Sequence, residues 1–343
     1  MRVFLTGATG YVGAALAREL TARGVQVSAL MRSPAKAKGL SGSPIRLVQG
    51  DVLDLQALEQ GMHSCDAVYH LAAQAGVWSK DPGAFYRVNV EGTRHVLDAA
   101  LKTGVKRVVI TSTGGVMGPS PGKGLVVHET TNPAPALASA YERSKAAAEN
   151  LAFSYQQKGI EVVVVNPTRI YGPGPLNESN SVTKLADQFR QGKWRIIPGN
   201  GESIGNYVYL DDVVQGHILA MEKGMPGERY ILGGENASYN QLFNLLRELT
   251  GQRQALIPLP LPVMMLFAGW ENTMAQILGK KPLIVPEFVR KLSQDWPMSS
   301  EKAQTALGYQ ITPLRQGMRR TLEWLGQGSR EQGLGSKRGN FEL

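Results

Sequence analysis

Short apolar runs alternate with segments of helical spacing along the first half of the chain. Residues 2–5 form the first run, and after a glycine-rich turn, apolar residues recur three and four apart at Val12, Ala15, Leu16 and Leu20. Alternating strands and helices with near-continuous apolar strands are typical of a parallel sheet covered on both faces. We therefore predict a doubly wound parallel α/β sheet. Its other predicted strands are 24–31, 45–49, 66–71, 105–110 and 160–165, with helices near 54–61, 83–103 and 141–158.

The turn after the first predicted strand has the pattern G-x-x-G-x-x-G, at Gly7, Gly10 and Gly13. Without a Cβ, Gly7 and Gly10 let the backbone turn and approach phosphates, and Gly13 lets the helix pack closely on the strand. The first N–H groups of the helix and the positive end of its dipole then form a site for a pyrophosphate. The predicted dinucleotide-binding residues of this turn are Thr6, Gly7, Thr9, Gly10, Tyr11, Val12 and Gly13.

Basic residues follow the second predicted strand. In an NAD site, an acidic side chain about 20 residues beyond the glycines accepts a hydrogen bond from the ribose 2′-hydroxyl, whereas an arginine there suits a 2′-phosphate. This chain has Arg32 at that point, with Lys36 and Lys38 close behind. The sequence therefore favours NADP, with Arg32 and Lys36 at the phosphate. NAD is the alternative, in which case these residues form a solvated basic loop.

Tyr141 and Lys145 are four residues apart in a predicted helix, so their side chains project from one face, one turn apart. A phenol with a pKa near 10 is a poor acid-base catalyst at neutral pH, and a neighbouring ammonium lowers that pKa. Tyr141 then becomes a general acid for the reduction of a carbonyl, or the base for the reverse reaction. The hydroxyls at Thr111-Ser112-Thr113 can orient the carbonyl oxygen.

The remaining candidate residues stand where predicted strands end. Ligands of parallel sheets bind outside the carboxyl ends of the strands, so we expect these residues to surround one crevice. They are Asp51 and Val52 after the third strand, Leu71, Ala72 and Ala73 after the fourth, Thr111 and Thr113 after the fifth, and Pro167 and Thr168 after the sixth.

From residue 1 to about 327, the chain resembles the extended short-chain dehydrogenase/reductase family of NAD-dependent epimerase/dehydratase type. The resemblance implies a Rossmann-type fold with a smaller, mainly helical C-terminal substrate domain. Residues 1–165 plus 207–234 would bind NADP, and 166–206 plus 235–327 would bind the substrate. The end of the chain, 328–343, is rich in Gly, Ser and charge, which predicts disorder. The matching segments are the glycine turn, Gly50–Val52, His70–Ala73, Asn89–Thr93, Thr111–Thr113, Tyr141–Lys145, Asn166–Thr168, Tyr171–Gly174 and Asn206–Asp212.

The resemblance also implies roles for individual residues. Asp51 and Val52 would meet the adenine, and Ala72 and Ala73 would line the cofactor groove. Asn89 would support the active-site backbone and its water. The triad hydroxyl falls on Thr113, where most members have serine, and the additional methyl narrows the site. The other implied cofactor contacts are Leu71, Thr111, Pro167 and Thr168.

Within the family, the segments 211–217 and 227–236 resemble dihydroflavonol-4-reductase-like and hopanoid-associated sugar epimerase-like proteins. Nucleotide-sugar epimerases usually have an arginine for the nucleotide phosphates where this chain has Gly205, and the candidates to replace it are Arg195, Lys193 and Arg169. We therefore predict an NADP-dependent reductase of a ketone or aldehyde on an apolar or aromatic molecule. The alternatives are a nucleotide-sugar epimerase or dehydratase and a non-catalytic NADP-binding sensor.

The most apolar stretch, Leu256–Trp270, is too short and too rich in proline to cross a bilayer. It predicts a packed turn and helix, with a pocket wall or a membrane-touching edge as alternatives. A net charge of +9 would favour anionic lipid. The positive charges are dispersed and no recognition motif accompanies them, so we expect no nucleic-acid partner.

The remaining composition suggests a cytoplasmic enzyme. The single Cys65 excludes an internal disulfide and fits a reducing compartment. The five histidines have no metal-ligand spacing, so we predict no metal. The N-terminus leads directly into the first strand, so no signal peptide is expected. By resemblance, the helices near 83–103 and 141–158 would form a homodimer contact.

Overall fold

The structure is a computed structural model that describes residues 1–40, 44–76, 78–131 and 139–338. Within these residues, strands and helices alternate through the first half and helices dominate the last third. The strands are β1 Arg2–Thr6, β2 Gln26–Met31, β3 Ile45–Gln49, β4 Ala67–His70, β5 Arg107–Thr111, β6 Glu161–Pro167, β7 Arg169–Tyr171, β8 Ile196–Pro198, β9 Ile204–Tyr209, β10 Arg229–Leu232, β11 Glu235–Ser238 and β12 Ile257–Leu259. The helices are α1 Tyr11–Ala22, α2 Leu55–Met62, α3 Ala84–Tyr86, α4 Gly92–Thr103, α5 Ala140–Ser154, α6 Ser181–Arg190, α7 Leu210–Lys223, α8 Tyr239–Thr250, α9 Leu261–Leu278, α10 Pro286–Leu292, α11 Glu301–Leu307 and α12 Leu314–Arg338.

Seven parallel strands form the main sheet, in the order β10-β6-β5-β4-β1-β2-β3. The chain runs outward from β1 to β3 and then returns to β4 on the other side of β1. Such a reversal opens a crevice at the carboxyl ends of the strands, and the glycine turn lies there. The structure thus confirms the predicted Rossmann-type fold.

Both faces of the main sheet are covered. On one face, α1 and α7 contribute Leu16, Leu20 and Val214 to the core, and on the other, α2 and α4 contribute Leu58 and Leu97. Each of these side chains is nearly inaccessible to water, and burial of such a residue stabilises the fold by about 1.5–3 kcal/mol. The apolar character of the central strands follows from this double coverage.

The long helix predicted near 83–103 is interrupted. Arg87–Glu91 forms a π-helical turn between α3 and α4, and Asn89 lies within it with no exposed surface. Such turns are often found at functional sites. The helix predicted near 141–158 begins at Ala140, where Ser139 and Glu142 form a capping box, and ends in a 3-10 turn over Tyr155–Lys158.

The smaller part of the molecule contains two further sheets. Strand β9 pairs in parallel with β7 and antiparallel with β11, and β12 pairs in parallel with β8. Helices α6, α8 and α12 pack around these strands through residues such as Phe189, Phe243 and Met318. Strand β9 spans residue 207, where the predicted NADP-binding segment 207–234 begins, and it belongs to a smaller sheet. Of that segment, only β10 joins the main sheet. The domain division itself remains a proposal.

The end of the chain differs from the prediction of disorder over 328–343. The backbone is helical to Arg338, because Leu314, Met318 and Leu322 anchor the first turns of α12 and extension of a formed helix costs little. Residues 339–343 lie outside the described residues. Among the helices of the described ranges, none combines the length and hydropathy required to span a membrane.

Candidate active site

One cavity of about 1220 Å³ runs along the carboxyl ends of the main strands and continues into the smaller part of the molecule. Most of the predicted site residues line it. The side chains of Thr6 and Asn89 support it from behind, and the side-chain position of Lys36 lies outside the described residues. The predicted residues that line the cavity are Gly7, Thr9, Gly10, Tyr11, Val12, Gly13, Arg32, Asp51, Val52, Leu71, Ala72, Ala73, Thr111, Thr113, Tyr141, Lys145, Pro167 and Thr168.

The glycine turn fits the pyrophosphate of a dinucleotide. Gly7 has φ +76°, and a Cβ there would lie 2.7 Å from Ala72 N. A Cβ at Gly13 would lie 2.1 Å from the Gly7 carbonyl oxygen. No side chain caps the start of α1, and its first turn has no acidic residue, so its N–H groups are open to an anion.

Arg32 and Asp51 lie together at the ends of β2 and β3. The Arg32 side chain is 68% exposed, and its Nε lies 3.9 Å from Asp51 Oδ2. An ion pair this long and exposed contributes little stability, so the guanidinium is free to contact a bound phosphate. This arrangement suits the adenosine end of a nicotinamide cofactor.

Tyr141 and Lys145 project from α5 into the same cavity. Lys145 is 2% exposed, and its Nζ donates a hydrogen bond to the Thr111 carbonyl oxygen at 2.6 Å. Burial lowers the pKa of Lys145 to about 8, opposed by the charge of Glu149. Burial raises the pKa of Tyr141 to about 12, and a hydrogen bond with Thr113 opposes this.

The phenol of Tyr141 is therefore protonated at neutral pH and can donate a proton. The sequence predicts that Lys145 lowers the pKa of Tyr141, whereas burial dominates in the structure. The physical reason is that the Lys145 ammonium is directed at the Thr111 carbonyl. Lys145 thus holds the end of β5 against α5, next to the hydroxyls of Thr111 and Thr113.

A buried hydrogen-bond chain fixes the backbone behind the cavity. Thr93 Oγ1 donates to the Asn89 carbonyl oxygen at 2.6 Å, so it accepts from His70 Nε2 at 3.0 Å. The other ring nitrogen of His70 then accepts from Thr6 Oγ1 at 2.7 Å, and Thr6 Oγ1 accepts from Ala72 N at 3.1 Å. Burial lowers the pKa of His70 to about 3, so the ring is neutral. Thr6 therefore lies behind the cavity and contacts the loop after β4, without lining the cavity itself.

Asn89 connects α5 to the loop after β4. Its Nδ2 donates to Ser144 Oγ at 2.8 Å, and its Oδ1 accepts from Gln74 N at 2.7 Å. Ser144 Oγ in turn donates to the Tyr141 carbonyl oxygen at 2.7 Å. The expected support of the active-site backbone and its water by Asn89 stays a prediction. Sequence reasoning missed Gln74 and Ser144, although Ser144 directly precedes Lys145.

A second buried group that sequence reasoning missed lies one turn beyond Lys145. Glu149 is 2% exposed and accepts a hydrogen bond from Asn166 Nδ2 at 2.8 Å, and its Oε2 lies 3.2 Å from Arg229 Nη1. Burial raises the pKa of Glu149, and the Arg229 charge opposes this. The i, i+4 spacing of Glu149 from Lys145 could have indicated that the two side chains lie on one helix face. The pairing with Arg229 could not be predicted, because Arg229 belongs to the distant strand β10.

The segment from β12 to α10 contributes mostly apolar side chains to the cavity, together with Glu287 and Lys291. The stretch Leu256–Trp270 forms β12 and the first half of α9, and it both packs against Val289 and lines the cavity. Leu266 and Trp270 are 78% and 57% exposed. Contact of that face with a membrane therefore remains a hypothesis. The apolar lining residues from this part of the chain are Leu259, Val263, Met264, Phe267, Leu283, Ile284, Phe288 and Leu292.

Of the three cations considered as replacements for an arginine at position 205, Arg169 lines the cavity. Lys193 and Arg195 are exposed and are not among its lining residues. Arg169 is the first residue of β7, and its guanidinium lies against Gly205 in β9, where a Cβ would approach Nη1 to 2.3 Å.

Comparison with known proteins relates the chain to nicotinamide-dependent enzymes. Residues 3–233 match the NAD dependent epimerase/dehydratase family. The chain is 34% identical over 326 residues to a protein of Synechocystis sp. provisionally named dihydroflavonol 4-reductase, covering 94% of this chain and 93% of that protein. It is 31% identical over 339 residues to sterol demethylase protein B of Methylococcus capsulatus, covering 97% and 100%. The UDP-glucose 4-epimerase of Thermotoga maritima, solved with UDP-glucose, has a TM-score of 0.79 at 27% identity, covering 96% and 100%.

Proposed function

The chain belongs to the NAD dependent epimerase/dehydratase family, and on this premise we propose that it is an NADP-dependent reductase of a ketone or aldehyde on an apolar or aromatic small molecule. The observation that carries the proposal is an apolar wall, the mostly apolar side chains that α9 and α10 contribute to the same cavity that Tyr141 lines. An apolar wall stabilises a bound apolar molecule by removing its surface from water. It offers few partners to a sugar, whose hydroxyl groups need hydrogen bonds.

The residues around Tyr141 have complementary roles in this reaction. A bound reduced nicotinamide supplies the hydride. Tyr141 donates its phenolic proton to the carbonyl oxygen, and the Thr113 hydroxyl orients that oxygen. Lys145 holds β5 and α5 together through Thr111, and its charge helps bind the cofactor ribose. The apolar wall keeps water away from the reacting carbonyl.

Two other functions are open to this fold. Similarity to a UDP-glucose 4-epimerase supports a nucleotide-sugar epimerase or dehydratase as the second candidate. A sensor that binds NADP without catalysis is the third, but Tyr141 and Lys145 would then have no catalytic role to explain their placement. We further propose a cytoplasmic homodimer, in which α4 and α5 of two copies form a four-helix contact.

A panel of substrates distinguishes the first two candidates. We expect the protein to oxidise NADPH in the presence of aryl and alkyl ketones or aldehydes. A decrease in absorbance at 340 nm measures this oxidation. With UDP- and dTDP-sugars, we expect no product by chromatography. Turnover of a nucleotide sugar combined with no reduction of any carbonyl compound would contradict the proposal.

The preference for NADP is assigned to Arg32. We expect native protein to have a kcat/KM for NADPH about tenfold or more above that for NADH, because the guanidinium pairs with the 2′-phosphate. Arg32→Asp is expected to lower kcat/KM for NADPH about 100-fold, through lost attraction and added repulsion. Arg18→Asp, which changes charge by the same amount on α1, serves as the control. Equal use of NADH by the native protein would refute this assignment.

A further inference from the structure

Arg169 is held between two aromatic rings on the substrate side of the cavity. Its Cζ lies 5.6 Å from the ring centroids of both Tyr207 and Tyr239. Its Nη1 donates to Tyr239 Oη at 3.2 Å and approaches Tyr207 Oη at 3.4 Å. Because both tyrosines are nearly fully buried, the guanidinium has a fixed position at the cavity surface.

The chain leaves space for this guanidinium. Strand β9 lies beside β7, with Arg169 opposite Tyr207 in the pairing. Gly205 is two residues before Tyr207, and a Cβ there would lie 2.3 Å from Arg169 Nη1 and 2.7 Å from Cζ. Atoms do not approach this closely, so a side chain at position 205 would displace the guanidinium.

Arg169 lacks a counter-ion in the part of the chain that the structure describes. Among the described residues, no carboxylate lies within ion-pair distance of its guanidinium, and its Nε and Nη2 have no hydrogen-bond partner there. Other cations at the cavity differ: Lys291 pairs with Glu142 at 2.6 Å, and Lys184 is exposed to water. Arginine does not lose its proton in proteins, so Arg169 keeps a partly buried charge that faces neutral tyrosine rings and hydroxyls and no described counter-ion. A ligand with a negative charge would supply it.

We propose that Arg169 binds the carboxylate of the substrate, so that the substrate is an apolar or aromatic molecule with both a carboxylate and a reducible carbonyl. This proposal rests on the proposed reductase function. The free N–H groups of the guanidinium match the two oxygens of a carboxylate. One fixed charge suits a carboxylate better than a diphosphate, which carries at least two negative charges. The apolar side chains of α9 and α10 would enclose the rest of the molecule.

Binding of 2-naphthoate and 2-naphthamide tests this site, because the two probes share a shape and differ in charge. Titration calorimetry with the full chain and saturating NADPH should show about tenfold or tighter binding of naphthoate, since a hydrogen bond to a charged group exceeds a neutral one. Arg169→Gln should abolish the preference, Arg169→Lys should retain part of it, and Arg195→Gln should retain all of it.

Gly205→Ala provides a second test with the arginine still in place, because the added methyl displaces the guanidinium. It should weaken naphthoate binding and leave naphthamide binding unchanged. Thermal unfolding of each variant verifies that it is folded, and if Arg169→Gln is unfolded, Gly205→Ala decides the outcome.

The proposal is overturned if native protein binds both probes equally, if the folded Arg169→Gln variant keeps the preference, or if Arg195→Gln loses it. It is also overturned if UDP-glucose displaces naphthoate from native protein but not from the Arg195→Gln variant. That result would show that the site binds a diphosphate with the help of Arg195. The readout requires no turnover. If the protein reduces no carbonyl compound but still prefers naphthoate to naphthamide, the reductase function fails and the carboxylate site stands. If the preference is absent, the carboxylate site fails.

Discussion

Tyr141→Phe is expected to lower kcat for carbonyl reduction by about 100- to 10,000-fold, the usual contribution of a general acid. The substitution removes the hydroxyl and retains the ring, which contacts Phe85 edge-on at a centroid distance of 6.5 Å. Since burial keeps the phenol protonated at neutral pH, native protein always has this proton to donate. Steady-state kinetics with the best carbonyl compound from the panel would measure the effect.

The matched control is Tyr155→Phe, which removes a hydroxyl from a tyrosine just beyond the end of α5. Tyr155 Oη donates to Asp98 Oδ1 at 2.7 Å, and the residue does not line the cavity. This variant should keep kcat within about twofold while losing about 1 kcal/mol of stability. Both variants should bind NADPH with native affinity. A Tyr141→Phe enzyme with more than about one tenth of native kcat would exclude Tyr141 as the general acid.

Gly7→Ala is expected to weaken NADPH binding about 100-fold and to lower the free energy of unfolding by about 2–5 kcal/mol. The backbone at Gly7 has φ +76°, which strains any residue with a Cβ. The new Cβ would also lie 2.7 Å from Leu71 C and Ala72 N, which are main-chain atoms at the end of β4 and cannot rotate away. The turn must therefore shift, and its phosphate-binding N–H groups shift with it.

Gly24→Ala is the control that distinguishes backbone strain from a steric clash of the new Cβ. Gly24 also has φ +76°, but a Cβ there would have no atom within 4 Å. This control should lose about 1 kcal/mol and keep its affinity for NADPH. Denaturant unfolding and NADPH fluorescence titration would measure both quantities. Equal effects of the two substitutions would show that the contact with β4 has no importance for the site.

The main sheet was largely predictable because its signals are local. All six predicted strands agree with β1 to β6 within two residues at each end, since each is a short run rich in apolar residues. The π-helical turn at Arg87–Glu91 was not predictable, because one wider turn hardly changes the spacing of apolar residues. The pairing of β9 with β7 and β11 could not be predicted from the sequence either, since it joins segments that are distant along the chain.

In the candidate site, too, features with local signals were predictable and contacts between distant segments were not. Short motifs identified Tyr141, Lys145 and the glycine turn, because each motif contains its own spacing. Contacts between distant segments were not predicted: Arg229 reaches Glu149 from β10, and Ser144 is the partner of Asn89, whose contacts the sequence could not supply. Sequence reasoning proposed Arg169 as one of three cations, but the pairing of β7 with β9 decides which one faces the cavity.

The position of β10 in the main sheet has a consequence for synthesis of the chain. Strand β6 is complete at Pro167, whereas its outer neighbour begins at Arg229. While the intervening residues emerge from the ribosome, the four consecutive valines of β6, Val162–Val165, have an unpaired edge that is prone to aggregation. A chain truncated before Arg229 would retain that edge permanently. Fragments ending there are therefore expected in the insoluble fraction, even though they contain every residue of the nucleotide turn.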